Sequence, residues 1–429
     1  MSTATLTPAH RQWRTRVFAA TWLSYAGFYF CRKPWSVAKS AIGEAGHLST
    51  DTLGHIGAAN LLAYAIGQFI ASWMGTRLGP RMNVLLGMAL SILATLAMGL
   101  TLDVGLLTML AAVNGLAQAT GWSGNVGTMA AWFHKHERGK VMGVWATNFT
   151  VGSLTAMWLL GAVLNLGTKE APAWRETFYV GAAVLTVVWV IFWFFQRNRP
   201  EDVGLPPVDD PIPAGTSALP ALEEAGFLGL PWTAWGNILL VSGFYFFIKF
   251  IRYAIWSWAP YFLKNTYHLT DAQASWASTG FDLMGIPGVF FAGWLSDTFF
   301  SSRRGEVALI LISAMTVACG ALYAFAGSGV VVVASLLTVI GFTLFGPDAL
   351  LTGAGAMDIG SRRSATFAAG VISGFGSMGS VLQELVIGKM YDPKTGGLDV
   401  VFGMLLASAA MGAMFCGGLV LRNRSGRGV

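Results

Sequence analysis

The chain has 429 residues, 54% of them hydrophobic and only 11% charged, and its mean hydropathy is +0.58. A soluble domain is about a quarter charged, so this composition excludes a soluble globular protein and points to a polytopic membrane protein. The formal net charge of +6 does not indicate nucleic-acid binding, because the lysines and arginines fall mainly in short connections between apolar runs.

About 20 apolar residues cross the hydrocarbon core of a bilayer. On that measure the sequence predicts an all-α protein with twelve spans, at about 16–38, 52–74, 82–101, 104–130, 139–164, 173–196, 233–261, 271–296, 306–325, 329–355, 363–388 and 399–420. Arg11, Arg14 and Arg16 precede or open the first span, Arg77 and Arg81 follow the second, and Lys135, Arg138 and Lys140 follow the fourth. Arg197 and Arg199 come after the sixth, Arg303 and Arg304 after the eighth, Arg362 and Arg363 after the tenth, and Arg422, Arg424 and Arg427 after the twelfth. With an even span count all of these lie on one side, so both termini are expected to be cytoplasmic. The opposite connections carry fewer cations: Lys39 beside Glu44 and Asp51, Lys169 and Arg175 beside Glu170 and Glu176, then Lys264, Lys389 and Lys394.

The one long connection, about 198–230, is crowded with prolines and acids, a composition that builds no core. It reads as an exposed linker, with a short helix expected near Ala218 to Phe227. The expected organisation is therefore an N-terminal six-helix bundle over 1–197, a cytoplasmic linker over 198–232 and a C-terminal six-helix bundle over 233–429. A shift of 220 residues sets Arg32 on Arg252 and Arg77 on Asp297, as an internal repeat would.

There is no phosphate-binding loop, no H-E-x-x-H and no dinucleotide fingerprint, so an enzyme is not expected, and neither is a metal or other cofactor. Cys31, Cys319 and Cys416 are isolated in apolar surroundings and read as buried small residues. The informative residues are ionisable ones inside spans, each costing about 2.5–3.5 kcal/mol at mid-helix on insertion scales and so kept for a purpose. Arg32 in span 1 and Arg252 in span 7 are charged at any working pH, and a guanidinium fork matches phosphate or carboxylate. Tyr29 and Tyr25, three and seven residues before Arg32, share its helical face. Lys33 adjoins Arg32 but points about 100° away around the helix. Lys249 shares the face of Arg252, where it joins the anion site or neutralises Asp282. Asp282, Asp348 and Glu384 are the acids on offer inside the membrane region. Asp282 reads either as a gating salt-bridge partner released when an anion arrives or as a fixed ion pair with Lys249 or Arg252. Tyr64, Trp122, Asn125, Trp145, Asn148, Tyr253, Trp256 and Trp258 complete the polar and aromatic set.

The run from Tyr29 through Cys31, Arg32 and Lys33 to Pro34 resembles the first-span signature of the organophosphate:phosphate antiporter family of the major facilitator superfamily. The resemblance continues over Asn114 to Trp122, Trp132 to Gly139, Trp145 and Gly152, and Arg199 to Leu205. In the second half it covers Arg252 and Tyr253 through Trp258 to Tyr261, Gly285 to Gly288, and Gly293 to Asp297. It implies a major facilitator fold and alternating-access exchange of an organic phosphate for inorganic phosphate in the plasma (bacterial inner) membrane. It further implies that Arg32 and Arg252 bind the phosphoryl group, that Tyr29 accompanies them, and that Asp282 occupies the place of the family's span-8 acid. Two positions depart from the glycerol-phosphate branch: Gln68 stands where that branch has a lysine, and Phe149, beside Asn148, where it has a histidine. The charged turn after span 2 has Thr76 in place of the usual acid, although Arg77 is kept. A sugar phosphate such as glucose-6-phosphate is the expected substrate, with Trp122, Asn125 and Asn148 offering a stacking surface and hydrogen bonds to hydroxyls. Asp297 with Arg303 and Arg304, and Thr76 with Arg77 and Arg81, are expected to latch the cytoplasmic ends. The working unit is expected to be a monomer in membrane lipid. Two other functions share the same residues: a membrane receptor that senses hexose phosphate and signals to a kinase, and a proton-coupled carrier of organic anions.

Overall fold

A computed structural model describes residues 7–134, 138–168, 172–208, 232–300, 303–351, 362–392 and 397–424. Among them are fourteen α-helices. In chain order they are α1 (Pro8–Val37), α2 (Lys39–Gly46), α3 (Thr50–Met98), α4 (Val104–Gln118), α5 (Thr120–Trp132), α6 (Arg138–Trp145), α7 (Thr147–Leu164) and α8 (Trp174–Phe195). They continue with α9 (Trp232–Tyr267), α10 (Asp271–Phe299), α11 (Arg304–Ala324), α12 (Val330–Asp348), α13 (Arg362–Met390) and α14 (Leu398–Arg424). The linker helix expected near 218–227 lies outside the described residues, as do the side chains of Thr76 and Asp297.

Local chemistry sets the helix ends. Thr7 caps α1, its hydroxyl accepting from the His10 amide, and Pro8 occupies a first-turn position that needs no donor. Asp103 caps α4 through the Leu106 amide at 2.8 Å, and Thr270 and Gln273 form a reciprocal capping box at the start of α10. The long α3 is two spans joined at Gly79, whose φ of 80° is a conformation that glycine adopts without strain. Pro80 then offers no amide hydrogen, and the amide of Arg81 is taken up by Asn198 Oδ1 at 2.7 Å. Ten described segments are long and apolar enough to cross a membrane, with Thr50–Gly75 and Arg77–Met98 counted separately and α4 running on into α5. Helices α1 and α10, 30 and 29 residues long, complete the expected twelve.

The chain forms two compact units, Met1–Ala38 with Ala59–Leu219, and Lys39–Ala58 with Pro220–Val429. Lipid tails are as apolar as leucine, so helices inside a membrane associate by close packing and polar contacts rather than by water exclusion. In the first unit α1 is the central helix, packed on α5, α7 and α8. Its contact with α8 depends on Gly181, where a Cβ would lie 2.1 Å from the Phe30 carbonyl oxygen. Phe28, Cys31, Val84, Met88, Leu185 and Phe192 fill the layer below. In the second unit α9 takes the central position against α10, α12, α13 and α14, and Gly379 of α13 admits the Phe246 carbonyl in the same manner. The segment α2 with the first turns of α3 belongs to this second unit and rests on α9. All three cysteines are buried and free.

Candidate functional site

Each unit carries one intramembrane arginine held by side chains of its own unit. In the first, Arg32 projects from α1 two residues before Pro34. Its Nε donates to Gln118 Oε1 at 2.6 Å, while its guanidinium carbon lies 4.9 Å from the Tyr29 ring centre and 5.0 Å from that of Tyr64. Gln118 is itself oriented, since its Nε2 donates to Asn114 Oδ1 at 3.0 Å. Asn114 in turn accepts from Ser91 and donates to the Cys31 carbonyl. A chain of hydrogen bonds therefore runs from the α1 backbone through α4 and back to the arginine. Such a chain fixes the direction of the fork before any ligand arrives.

Beside this cluster stands an aromatic group. Tyr25 meets Tyr29, Trp122 and Trp145 at ring-centre distances of 6.1, 5.5 and 5.7 Å, and Trp122 meets Trp145 at 5.5 Å. Trp122 is 43% exposed, so one of these rings stays open to a partner. Asn125 is fully buried and donates to Ser24 Oγ at 2.8 Å. Asn148 is fully buried too, and among the described residues neither its Nδ2 nor its Oδ1 meets a hydrogen-bond partner. Lys33 is buried on the other side of α1, as its position one residue after Arg32 implies. Gln68 is half-buried on α3. Arg77 is exposed, with its guanidinium 4.3 Å from the Trp73 ring centre.

In the second unit Arg252 lies between two rings, 4.3 Å from the Trp256 centre and 4.5 Å from that of Phe345. Both rings are within cation–π reach, and Nη1 donates to Asp348 Oδ2 at 2.8 Å. The pairing acid is thus Asp348 of α12. Asp282, the family-pattern acid on α10, instead accepts from Trp256 Nε1 at 2.5 Å. Lys249 donates to Ser377 Oγ at 3.2 Å and lies 4.8 Å from the Tyr245 ring centre. Tyr253 packs edge-on against Trp256 at 5.3 Å.

Sequence reasoning left three groups without a role. Gln118 and Asn114 sit inside a motif that carries the family resemblance, yet nothing in their spacing says that they hold Arg32. Lys39, assigned to an outer connection, is fully buried, and its Nζ lies 3.2 Å from Glu384 Oε2 and 2.6 Å from Ser257 Oγ. The Trp258 ring centre is 3.7 Å from the same ammonium.

A family model described as the Major Facilitator Superfamily matches residues 17–384. The chain belongs to the Major Facilitator Superfamily. It is accordingly an integral membrane carrier rather than an enzyme. It is 28% identical over 412 residues to a glycerol-3-phosphate transporter of Haemophilus influenzae, covering 88% of this chain and 86% of that one. It is 29% identical over 480 residues to a glucose-6-phosphate exchanger of Bos taurus, covering 96% and 94%. A membrane sensor protein of Escherichia coli is 26% identical, covering 89% and 87%. In three dimensions it superposes on a bacterial homologue of the human lysosomal transporter Spinster with a TM-score of 0.75. That match has 18% identity and covers 96% and 97% of the two chains, a likeness of fold.

Proposed function

We propose that this protein is a secondary active antiporter that exchanges an organic phosphate, a sugar phosphate such as glucose-6-phosphate, for inorganic phosphate. The observation that carries the reading is that each unit holds one buried-edge arginine in a prepared cradle, Arg32 by Gln118 and two tyrosines, Arg252 by two aromatic rings. Guanidinium groups fixed in this way are suited to bidentate recognition of a phosphoryl group, because little rotamer freedom is lost on binding. The names of the relatives, two of which carry organic phosphates, support the same chemistry.

In this reading Arg32 and Arg252 grip the phosphoryl group, with Tyr29 beside Arg32 and Lys33 and Lys249 adding to the positive field. Tyr25 and Trp122 take the organic moiety, and Gln68, Asn125, Asn148 and Tyr253 complete its surroundings. The unpartnered amide of Asn148 is what a substrate hydroxyl would satisfy, since a buried polar group left unmatched costs about 1–3 kcal/mol. The N-terminal bundle (1–197, apart from 39–58, which packs with the second unit) and the C-terminal bundle (233–429) move as the two bodies of alternating access, joined by the 198–232 linker. Asp297 with Arg303 and Arg304, and Thr76 with Arg77 and Arg81, latch the cytoplasmic ends. An empty site, in which Asp348 offers its carboxylate to one of the two arginines, closes reluctantly, because incompletely compensated charge in a low dielectric is costly. Phosphate must therefore bind for the return stroke, which makes exchange obligatory. The phosphate gradient supplies the driving force.

The test is uptake of labelled glucose-6-phosphate into proteoliposomes, with and without internal phosphate, for the wild type and for Arg32→Lys and Arg252→Lys. Uptake that requires internal phosphate and is lost in both variants is the expected result. Binding without flux under any loading would instead identify a receptor, and flux driven by a pH gradient without internal phosphate would identify a proton-coupled carrier.

A further inference from the structure

Asp348 is placed by a local break in α12. Pro347 inside the helix has no amide hydrogen to give to the preceding turn, and residues 349–351 continue as a wider π-turn. The break comes where two side chains of one face, Phe345 and Asp348, meet Arg252: the ring centre lies 4.5 Å from the guanidinium and the carboxylate accepts from it. The pair is sheltered without being sealed, with 14% of the arginine side chain and 9% of the aspartate side chain exposed. Trp256 lies 4.3 Å from the same guanidinium and Asp348 takes one of its hydrogen-bonding positions, so an incoming anion has to contend with that carboxylate for this arginine.

Resting on the exchange reading above, we propose that Asp348 is a tethered competitor for the phosphate site, a specificity-determining residue that a phosphoryl group displaces from Arg252. A carboxylate fixed to the same unit acts at high effective concentration, so a weak monoanion such as chloride or formate does not dislodge it. A phosphoryl group does, because it brings more negative charge and more acceptor oxygens and can engage the fork through two nitrogens. Discrimination then comes from a built-in repulsive element as much as from attraction. The same competition keeps phosphate binding weak enough for release on the far side. The chemical class selected is the phosphoryl dianion over singly charged carboxylates and halides.

The experiment is titration of inorganic phosphate into purified protein, followed by phosphate exchange in proteoliposomes, for the wild type, Asp348→Asn and Asp348→Ala. Removing the competitor is expected to tighten phosphate binding about tenfold, within the ordinary range of coupling between two ligands. It is also expected to lower both the KM and the maximal rate of exchange, as slower release requires. Chloride and formate, without effect on the wild type, are expected to inhibit the variants. A merely structural ion pair would not produce a gain of affinity. Unchanged or weaker phosphate binding in folded Asp348→Asn, or failure of both variants to fold, would overturn the proposal while leaving the exchange reading in place. Absence of phosphate exchange by the wild type would remove the exchange reading itself, and wild-type exchange by Arg252→Lys would remove the arginine from it.

Discussion

Lys39 and Glu384 offer the sharpest test of what holds the second unit together. Their side chains are 0% and 2% exposed, and the ammonium and carboxylate stand 3.2 Å apart. Ser257 and the Trp258 ring complete the ammonium's surroundings, while Gly57 leaves room for the carboxylate. Replacing Glu384 by Gln leaves a buried ammonium without its counter-charge, and breaking a buried pair in this way costs about 3–5 kcal/mol. The ammonium keeps the Trp258 face it already has, so a loss at the lower end of that range, about 3 kcal/mol, is expected. Lys39→Met leaves the carboxylate unpaired and is expected to cost more, the upper part of the range, because no aromatic face compensates an anion. The double variant Lys39→Met with Glu384→Leu removes both charges and is expected to be milder than either single change, since well-packed apolar replacements of buried pairs are often neutral. Thermal melting and denaturant titration of the wild type, Lys39→Met, Glu384→Leu and the double variant in one detergent complete the cycle, with Glu384→Gln measured beside them. Additive losses, with the double variant as unstable as the sum of the singles, would show that the two side chains do not depend on each other and would refute the reasoning.

Other outcomes follow from the same geometry. Gly54→Ala is expected to destabilise more than Gly57→Ala in the same melting assay. The first Cβ would meet the Glu384 carbonyl oxygen at 2.5 Å and the Gly388 Cα at 3.0 Å, whereas the second meets the Glu384 carboxylate at 2.7 Å; overpacking of a tight contact costs about 1–3 kcal/mol. Gln118→Leu removes the acceptor of Arg32 Nε and is expected to raise the KM for phosphate about tenfold, the lower bound for a hydrogen bond to a charged group; an unchanged KM would mean that Gln118 does not orient the arginine. Asn148→Leu removes a buried amide without a partner, so the melting temperature is expected to rise while substrate exchange weakens, a trade-off common at functional positions. A variant more stable and fully active would take Asn148 out of the site.

The spans and the two arginines were legible in the sequence because both are local signals. Apolar length marks a span regardless of its neighbours, and a charge within a span stands out wherever it later points. Helix ends were less legible where the polar ends of a helix continue outside the apolar run, so α1 begins at Pro8 rather than at about residue 16. The pairings were illegible for a different reason. Arg252 and Asp348 are 96 residues apart, Lys39 and Glu384 345 apart, and no periodicity links positions on separate helices. Gln118 was hidden in the same way, 86 residues from Arg32.

Composition named three acids for the membrane region, Asp282, Asp348 and Glu384, and packing decides how they are shared. Trp256 stands one turn after Arg252 on α9 and gives its indole hydrogen to Asp282. Arg252 meets the α12 carboxylate of Asp348 at 2.8 Å. Glu384 lies at the other end of the polar set, where it meets Lys39 from α2. Each acid thus answers to a donor of different strength: an indole, a guanidinium and a buried ammonium. The strongest restraint falls on the pair that is most deeply buried, Lys39 with Glu384, which suits a structural tie. The partly exposed pair, Arg252 with Asp348, is the one proposed to meet an anion, and exchange of the kind proposed needs that bond to open and re-form in every cycle.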